Sequence, residues 1–174
     1  MTCILAVQDG EKVYLAGDTR VTSCDGTYID GVVKVFKASK YVLLGSSGDA
    51  VGSELIERHL GRIKGQKTAL EAARALQLAF RKDPAYTGQD FDVLLVSRGQ
   101  AVELSAAGIL KIPFDPFTCA ASGTGGTVAH AVWDASEYQR ELRAVPFQDH
   151  IIAAVRAAYF HIANCGPDVE IVEC

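Results

Sequence analysis

Apolar residues recur along the chain with two spacings, one typical of strands and one typical of helices. Short runs rich in β-branched and aromatic residues predict strands at Thr2 to Val7, Lys12 to Ala16, Val32 to Phe36, Tyr41 to Leu44, Phe91 to Val96, Ala101 to Ser105, Ile109 to Ile112, Thr118 to Ala121 and Val169 to Val172. Repeats three and four residues apart predict helices from Ala50 to about Lys64, Thr68 to Lys82, Gly123 to about Tyr138 and Phe147 to Ile162. The Asp9-Gly10 pair predicts a hairpin turn between the first two strands.

The order of these elements is strands, two helices, strands, two helices and a final strand. Such segregated runs predict an α+β fold in four layers, an αββα sandwich of two antiparallel sheets with a helical pair on each outer face. We expect the strands up to Leu44 to form the first sheet and the meander from Phe91 to Ile112 to form the second. With 174 residues, the chain fits one domain over 1–174.

Composition excludes several classes of protein. The apolar fraction of 49% and the net charge of −4 are typical of a globular chain, and the scattered Lys and Arg offer no basic stripe for nucleic acid. No apolar stretch approaches the roughly 20 residues of a membrane span. Five cysteines without C-x-x-C spacing and four histidines without H-E-x-x-H predict reduced thiols, no metal site and no cofactor. We therefore expect a cytoplasmic location.

Candidate chemistry begins at the start of the chain. Removal of Met1 would expose Thr2, which then carries a hydroxyl nucleophile and a free α-amine on the same residue. The amine, with an ordinary pKa of roughly 8, can accept a proton near neutral pH. The same residues are also typical of an ordinary edge strand, so residues elsewhere must decide between the two interpretations.

Asp18 and Lys34 supply what such a nucleophile needs. A cation stabilises the hydroxyl as it loses its proton, and a carboxylate holds that cation in place. The glycine-rich stretches at Gly45 and Gly123 lack the P-loop and dinucleotide patterns, so they do not indicate a nucleotide. A glycine loop before a helix can instead present backbone N–H groups to an oxyanion, or it can be a simple tight turn.

Taken together, these motifs resemble the catalytic β-subunits of the proteasome and the bacterial HslV peptidase. The resemblance rests on Thr2, Gly17-Asp18-Thr19-Arg20-Val21-Thr22, Lys34, Gly45-Ser46-Ser47-Gly48-Asp49-Ala50 and Gly123-Thr124-Gly125-Gly126, in that order. It spans most of the chain, because the element order also matches the αββα sandwich of that family. It implies an N-terminal nucleophile hydrolase fold and a threonine-type endopeptidase.

The resemblance implies a role for each matching residue. Thr2 would be the nucleophile and its own amine the base, Lys34 would assist deprotonation, and Asp18 would orient Lys34. The Gly48 N–H would form the oxyanion hole, and Thr124 stands where the family usually has a serine that bonds the terminal amine. The substrate-binding residues implied are Thr22, Gly48 and Ala50 for the backbone, and Val21, Val32, Phe36, Ser46 and Glu54 for the side-chain pocket, which we expect to accept apolar residues.

One departure from the family concerns the end of the last helix, where proteasome subunits carry Arg-Asp-x-x-Ser. This chain has His161-Ile162-Ala163-Asn164-Cys165, without a carboxylate. HslV also lacks that carboxylate, so the sequence is closer to the bacterial branch. A second departure is that only Met1 precedes Thr2, and a retained Met1 would turn the amine into an amide and leave the chain inert.

The resemblance also implies partners and leaves alternatives open. We expect a homo-oligomeric double ring, a dodecamer or a tetradecamer, that receives unfolded polypeptide, with an ATP-dependent unfoldase ring as a further partner. One alternative is a catalytically silent ring or scaffold that retains Met1. Another is an N-terminal nucleophile amidase acting on small molecules. A third is Cys3 as the nucleophile, which requires cleavage after Thr2.

Overall fold

Two antiparallel sheets lie face to face, and a pair of helices covers the outer face of each. The computed structural model describes residues 2–23, 25–116, 118–143, 145–162 and 164–174, and for 137–143 it describes the backbone only. The strands are β1 Ile4–Asp9, β2 Lys12–Asp18, β3 Val21–Thr22, β4 Tyr28–Ile29, β5 Val35–Lys37, β6 Leu43–Gly48, β7 Phe91–Ser97, β8 Gln100–Ser105, β9 Gly108–Ile112, β10 Ala120–Ser122 and β11 Val169–Glu173. The helices are α1 Val51–Ile63, α2 Ala69–Phe80, α3 Thr124–Arg143 and α4 Phe147–His161, with a single 3₁₀ turn at Pro84–Tyr86. The predicted αββα layering is confirmed.

The membership of the sheets differs from the expectation. The first sheet has the order β10-β1-β2-β11 and the second has the order β5-β6-β7-β8-β9, while β3 and β4 form a separate hairpin. The prediction that all strands up to Leu44 share the first sheet is wrong, because β5 and β6 pair with β7 in the second. Strands that are buried on both faces have continuous apolar sequences, which do not reveal their neighbours.

Strand β1 shows why a strand between two layers has an uninterrupted apolar sequence. Its alternate residues face two different cores: Ile4 and Ala6 pack between the sheets, while Leu5 and Val7 pack against α3 and α4. Because successive side chains of a strand point to opposite faces, both sets are buried and no polar alternation remains. The predicted hairpin with β2 is confirmed, with Asp9 opposite Lys12 and Gly10 at a positive φ of 57°.

The helical pairs are held by amphipathic faces. Helices α1 and α2 bury Leu55, Ile56 and Leu76 against the second sheet, and α2 begins at a capping box between Thr68 and Glu71. Helices α3 and α4 pack on the first sheet. None of the helices in the described part of the chain combines the length and apolar character that crossing a membrane requires.

Three element boundaries differ from the prediction in ways that matter for the site. Strand β6 continues through the glycine-rich stretch to Gly48, which lies opposite Phe91 of β7. Lys34 precedes β5 rather than interrupting it, although its carbonyl still accepts a hydrogen bond from the Ser46 N–H at 3.0 Å. Helix α3 extends to Arg143, beyond the expected end near Tyr138. As a result, Lys34 and Gly48 lie at the same end of the second sheet.

Candidate functional site

Asp18 is the fixed point of a buried polar cluster at the end of β2. Its carboxylate is fully buried and accepts backbone N–H groups from Cys3 at 2.7 Å, Arg20 at 3.1 Å and Gly166 at 2.9 Å. In return, the Asp18 N–H donates to the Cys3 carbonyl at 3.1 Å. These bonds fix the position of the carboxylate, because a buried charge must be paired and hydrogen-bonded to be tolerated.

Lys34 joins this carboxylate to Thr2. The Lys34 ammonium lies 3.1 Å from both Asp18 oxygens, donates to the Arg20 carbonyl and lies 3.3 Å from the Thr2 hydroxyl oxygen. The side chain is 4% exposed. Burial lowers the pKa of Lys34 from its ordinary value, while the charge of Asp18 opposes that shift. An ammonium only donates, so Thr2 accepts from Lys34 and its hydroxyl proton must point elsewhere.

Thr2 is held from its other side by the loop that opens α3. Its carbonyl accepts the Gly125 N–H at 2.9 Å, one of the first helical amides, which have no partner inside the helix. Gly123 has a positive φ of 78°, and a Cβ there would lie 2.3 Å from the Thr2 carbonyl oxygen. Only glycine therefore allows this close approach. Thr124 is the first residue of α3 and is exposed, and the bond from this loop to Thr2 is made by Gly125.

Gly48 borders the open side of the cluster. It has a positive φ of 97°, and a Cβ there would lie 2.4 Å from the Asp90 carbonyl oxygen, so the strand end requires glycine. A cavity of about 190 Å³ opens beside it. The cavity is lined by Thr2, Val21, Thr22, Ser23, Lys34, Ser46, Gly48, Asp49, Ala50 and Ser53. A hydroxyl, an ammonium and a glycine loop thus meet in a cleft that opens to solvent.

The structure brings most, but not all, of the implied substrate-binding residues to this cavity. Val21, Thr22, Ser46 and Ala50 line it. Phe36 lies instead in the core under α1 and α2. The cavity lining, within the described residues, also leaves out two further candidates: Val32, which is half-buried, and Glu54, which is exposed in the first turn of α1.

Three groups in or beside the site were not predicted. The Gly166 N–H reaches Asp18 from the segment after α4, and the Arg20 carbonyl accepts from Lys34. Ser53 bonds Ser46 through their hydroxyls at 2.8 Å. In sequence, Asn164-Cys165-Gly166-Pro167 is typical only of a helix end, and a backbone carbonyl leaves no signature in sequence. Only Ser53, a polar residue in the first turn of α1, offered a signal.

The cysteines near the site differ chemically from Thr2. Cys3 is fully buried, and burial raises the pKa of its thiol well above the ordinary value. Burial also raises the pKa of Cys165 to about 11. A thiol attacks as its thiolate, so these cysteines are poor nucleophiles at neutral pH. This favours Thr2 over Cys3 as the nucleophile. Met1, whose removal the mechanism requires, lies outside the described residues.

Two other places on the chain gather polar side chains. A groove of about 510 Å³ on the outer face of α1 and α2 is lined by Arg58, His59, Arg62 and Lys82, among others, and shares no residue with the cluster around Thr2. Separately, Cys119, His130 and Asp134 bring three ligand types of metal sites together.

Known proteins match this chain in structure rather than in sequence. No protein-family profile matches the sequence, and no curated protein sequence is similar to it. The structure is similar to eukaryotic HslV from Trypanosoma brucei, with a TM-score of 0.73, 21% identity and 98% of each chain covered. It is also similar to Thiobacillus denitrificans BPH, with a TM-score of 0.76, 14% identity and coverage of 99% of this chain and 97% of that chain. The structure of BPH in complex with epoxomicin matches with a TM-score of 0.74 and 13% identity, over 99% of this chain and 97% of that chain. The chain therefore has the same fold as HslV.

Proposed function

We propose that this chain is a threonine-type endopeptidase subunit whose nucleophile is Thr2 after removal of Met1. The observation that carries the proposal is the Lys34 ammonium, which lies 3.3 Å from the Thr2 hydroxyl and 3.1 Å from Asp18 in a buried cluster beside an open cleft. A salt bridge that served stability alone would not need a hydroxyl as its third member. The likeness in fold to HslV supports the same reading.

In the proposed reaction, the Thr2 hydroxyl attacks the carbonyl carbon of a peptide bond. Its proton passes to the free α-amine, while Lys34 stabilises the negative charge that develops on the oxygen. The C–N bond then breaks, the leaving amine takes up a proton, and an ester remains on Thr2. Water attacks that ester, which releases the acid product and restores the hydroxyl.

Asp18 and the glycine loops position the reacting groups. Asp18 acts through Lys34, whose pKa would fall further without the carboxylate. The Gly48 N–H would stabilise the oxyanion of the tetrahedral intermediate, and a single donor of that kind contributes about 3–4 kcal/mol to a typical acyl transfer. Val21, Thr22, Ser46 and Ala50 would contact the substrate beside the scissile bond.

An epoxyketone peptide such as epoxomicin tests this proposal. It offers a ketone to the hydroxyl and an epoxide to the amine, so one adduct reports both groups of Thr2. We expect digestion and mass spectrometry to place a single adduct on Thr2, and Thr2→Ala to abolish both the adduct and hydrolysis of fluorogenic peptides. Thr127→Ala, on the exposed surface of α3, is the matched control and should keep both.

The outcomes separate the alternatives. An adduct elsewhere, or none on protein whose intact mass shows Thr2 as the first residue, would overturn the proposed mechanism. Retained Met1 without an adduct would identify a silent ring. Turnover of a small amide without peptide hydrolysis would identify the amidase.

We also propose that the chain works as a homo-oligomeric ring in the cytoplasm, fed with unfolded polypeptide by an ATP-dependent partner ring. Large apolar side chains exposed on several elements support further contacts between copies, among them Phe160 at 77% and Leu110 at 63% exposure. Native mass spectrometry should give a dodecamer or a tetradecamer, and a monomer would contradict the ring.

A further inference from the structure

Three side chains of metal-binding types meet at the outer layer formed by α3. Cys119 lies directly before β10, while His130 and Asp134 lie four residues apart on α3 and therefore on the same face of that helix. Their ligand atoms all lie within 4.8 Å of one another. The thiol is buried, and the imidazole and carboxylate are 46% and 61% exposed, so the group opens to solvent on one side.

The distances fit a tetrahedral ion. The Asp134 carboxylate lies 3.9 Å from the Cys119 sulfur and 3.3 Å from Nε2 of His130. Zinc bonds of about 2.3 Å to sulfur and about 2.0 Å to nitrogen or oxygen place tetrahedral ligand atoms roughly 3.3–3.5 Å apart. The two distances to the carboxylate therefore differ from these values by only a few tenths of an ångström, and the sulfur and the imidazole nitrogen lie within 4.8 Å of each other.

An ordinary ion pair explains only part of this arrangement. His130 and Asp134 have the spacing of a common surface pair on a helix. The Cys119 thiol, from a different element, also donates to this carboxylate at 3.9 Å, so Asp134 contacts both of the other groups. The turn at Gly123 brings α3 back over β10, and this places the Asp134 carboxylate beside the Cys119 sulfur.

We propose that Cys119, His130 and Asp134 bind a divalent transition-metal ion of the zinc class, with a fourth position open to water. Thiolate and imidazole ligands select zinc or cobalt over the hard cations magnesium and calcium, which prefer oxygen. On binding, the Cys119 thiol releases its proton to solvent and the sulfur bonds to the metal. No electron is transferred.

The site would brace the loop that holds Thr2. The ion joins the start of β10 to the third turn of α3, and the first turn of the same helix donates the Gly125 N–H to the Thr2 carbonyl. Binding to the folded state alone should therefore raise the melting temperature of the chain. This proposal does not depend on the peptidase activity of Thr2.

Cobalt provides a direct test, because its spectrum reports both geometry and sulfur ligation. Protein stripped of metals should develop visible bands of tetrahedral cobalt and a near-ultraviolet thiolate-to-cobalt band on titration with Co²⁺. Added Zn²⁺ should displace the cobalt. Cys119→Ser should remove the thiolate band, and His130→Gln should weaken binding by at least about tenfold, since even indirect partners of metal ligands are worth that much.

Matched variants separate this site from the other thiols and imidazoles. Cys174→Ser and the exposed His161→Gln should leave the cobalt spectrum unchanged. If Cys119→Ser does not fold, His130→Gln and Asp134→Asn at exposed positions decide the question. No thiolate band in the parent protein, an equal band in Cys119→Ser, or unchanged affinity in His130→Gln would overturn the proposal.

Discussion

The chain carries two polar clusters that differ in how completely the protein itself satisfies them. Around Lys34, the carboxylate of Asp18 is fully buried and meets three backbone N–H groups as well as the ammonium. Around Cys119, two of the three side chains are half exposed, and the ligand atoms of the three lie within 4.8 Å of one another. The protein itself satisfies the polar atoms of the first cluster, whereas the second is the cluster for which we propose a metal ion.

This difference follows from the physics of burial. A buried ion pair loses hydration that its mutual attraction repays only when further hydrogen bonds satisfy the remaining atoms. The cluster around Asp18 is therefore tied to the fold, since its backbone partners lie directly before β1, just after β2 and in the segment after α4. A half-exposed cluster keeps its water and can be altered without disturbing the fold.

The largest expected effect is that of Asp18→Ala. It removes the partner of a buried lysine and the acceptor of three backbone N–H groups, so we expect the free energy of unfolding to fall by about 3–5 kcal/mol. Asp134→Ala in metal-stripped protein, the matched change in the other cluster, should cost less than about 1 kcal/mol. Urea unfolding followed by the fluorescence of Trp133, the one tryptophan, measures both. Similar losses in the two variants would refute the contrast.

Gly123→Ala should rank second. A Cβ at Gly123 would lie 2.3 Å from the Thr2 carbonyl oxygen, whereas at Gly99, with a similar positive φ, it would meet nothing within 4 Å. Gly99→Ala should cost about 1–2 kcal/mol for the backbone conformation alone. Gly123→Ala should cost more, and it should also displace Thr2 and suppress the epoxyketone adduct, which Gly99→Ala should retain.

Equal unfolding free energies for the two glycine variants would show that the loop yields easily around Thr2. A normal rate of adduct formation in Gly123→Ala would show that the loop does not position the nucleophile.

The rate at which the epoxyketone adduct forms should depend on pH in a way that reports the lowered pKa of Lys34. Burial lowers the pKa of Lys34, so it loses its proton at a pH below the 10.5 of an ordinary lysine. If the charged form assists Thr2 as we propose, the rate of adduct formation should decline on the alkaline side before pH 10.5 is reached. Lys37→Ala, an exposed neighbour on β5, should not move this decline. A decline at or above the ordinary value would contradict the proposed role.

The sequence predicted the four layers and the main members of the candidate site, but not which strands pair or which way every side chain faces. Apolar periodicity located the helices. Thr2, Asp18 and Lys34 are each ordinary alone, and they were recognisable only together, as a hydroxyl, a carboxylate and a cation in motifs that follow a known order. The pairing of β5 and β6 with β7 was not recognisable, because continuous apolar strands fit either sheet. Nor did sequence reveal that Phe36 turns into the core, since this depends on which face of β5 meets α1.

The two clusters also differ in how they can be detected. Known motifs give metal ligands at fixed spacings along the chain, and the sequence, which has none of them, predicted no metal site. Cys119 reaches His130 and Asp134 only because a strand and the helix after it fold back on each other. Ligands supplied by two elements through a turn leave no fixed spacing, so only the structure brings them together.

The smallest expected effect on stability is that of His130→Gln. It tests most directly whether the cluster around Cys119, unlike the cluster around Asp18, is independent of the fold. In metal-stripped protein this change removes only an exposed pair with Asp134, so unfolding should shift by no more than about 0.5 kcal/mol. With saturating Zn²⁺, the parent protein should gain melting temperature and the variant should gain much less, because a lost ligand weakens binding to the folded state. His161→Gln, at the end of α4, should follow the parent under both conditions. A large loss without metal would mean that the outer cluster is part of the fold after all, like the inner one.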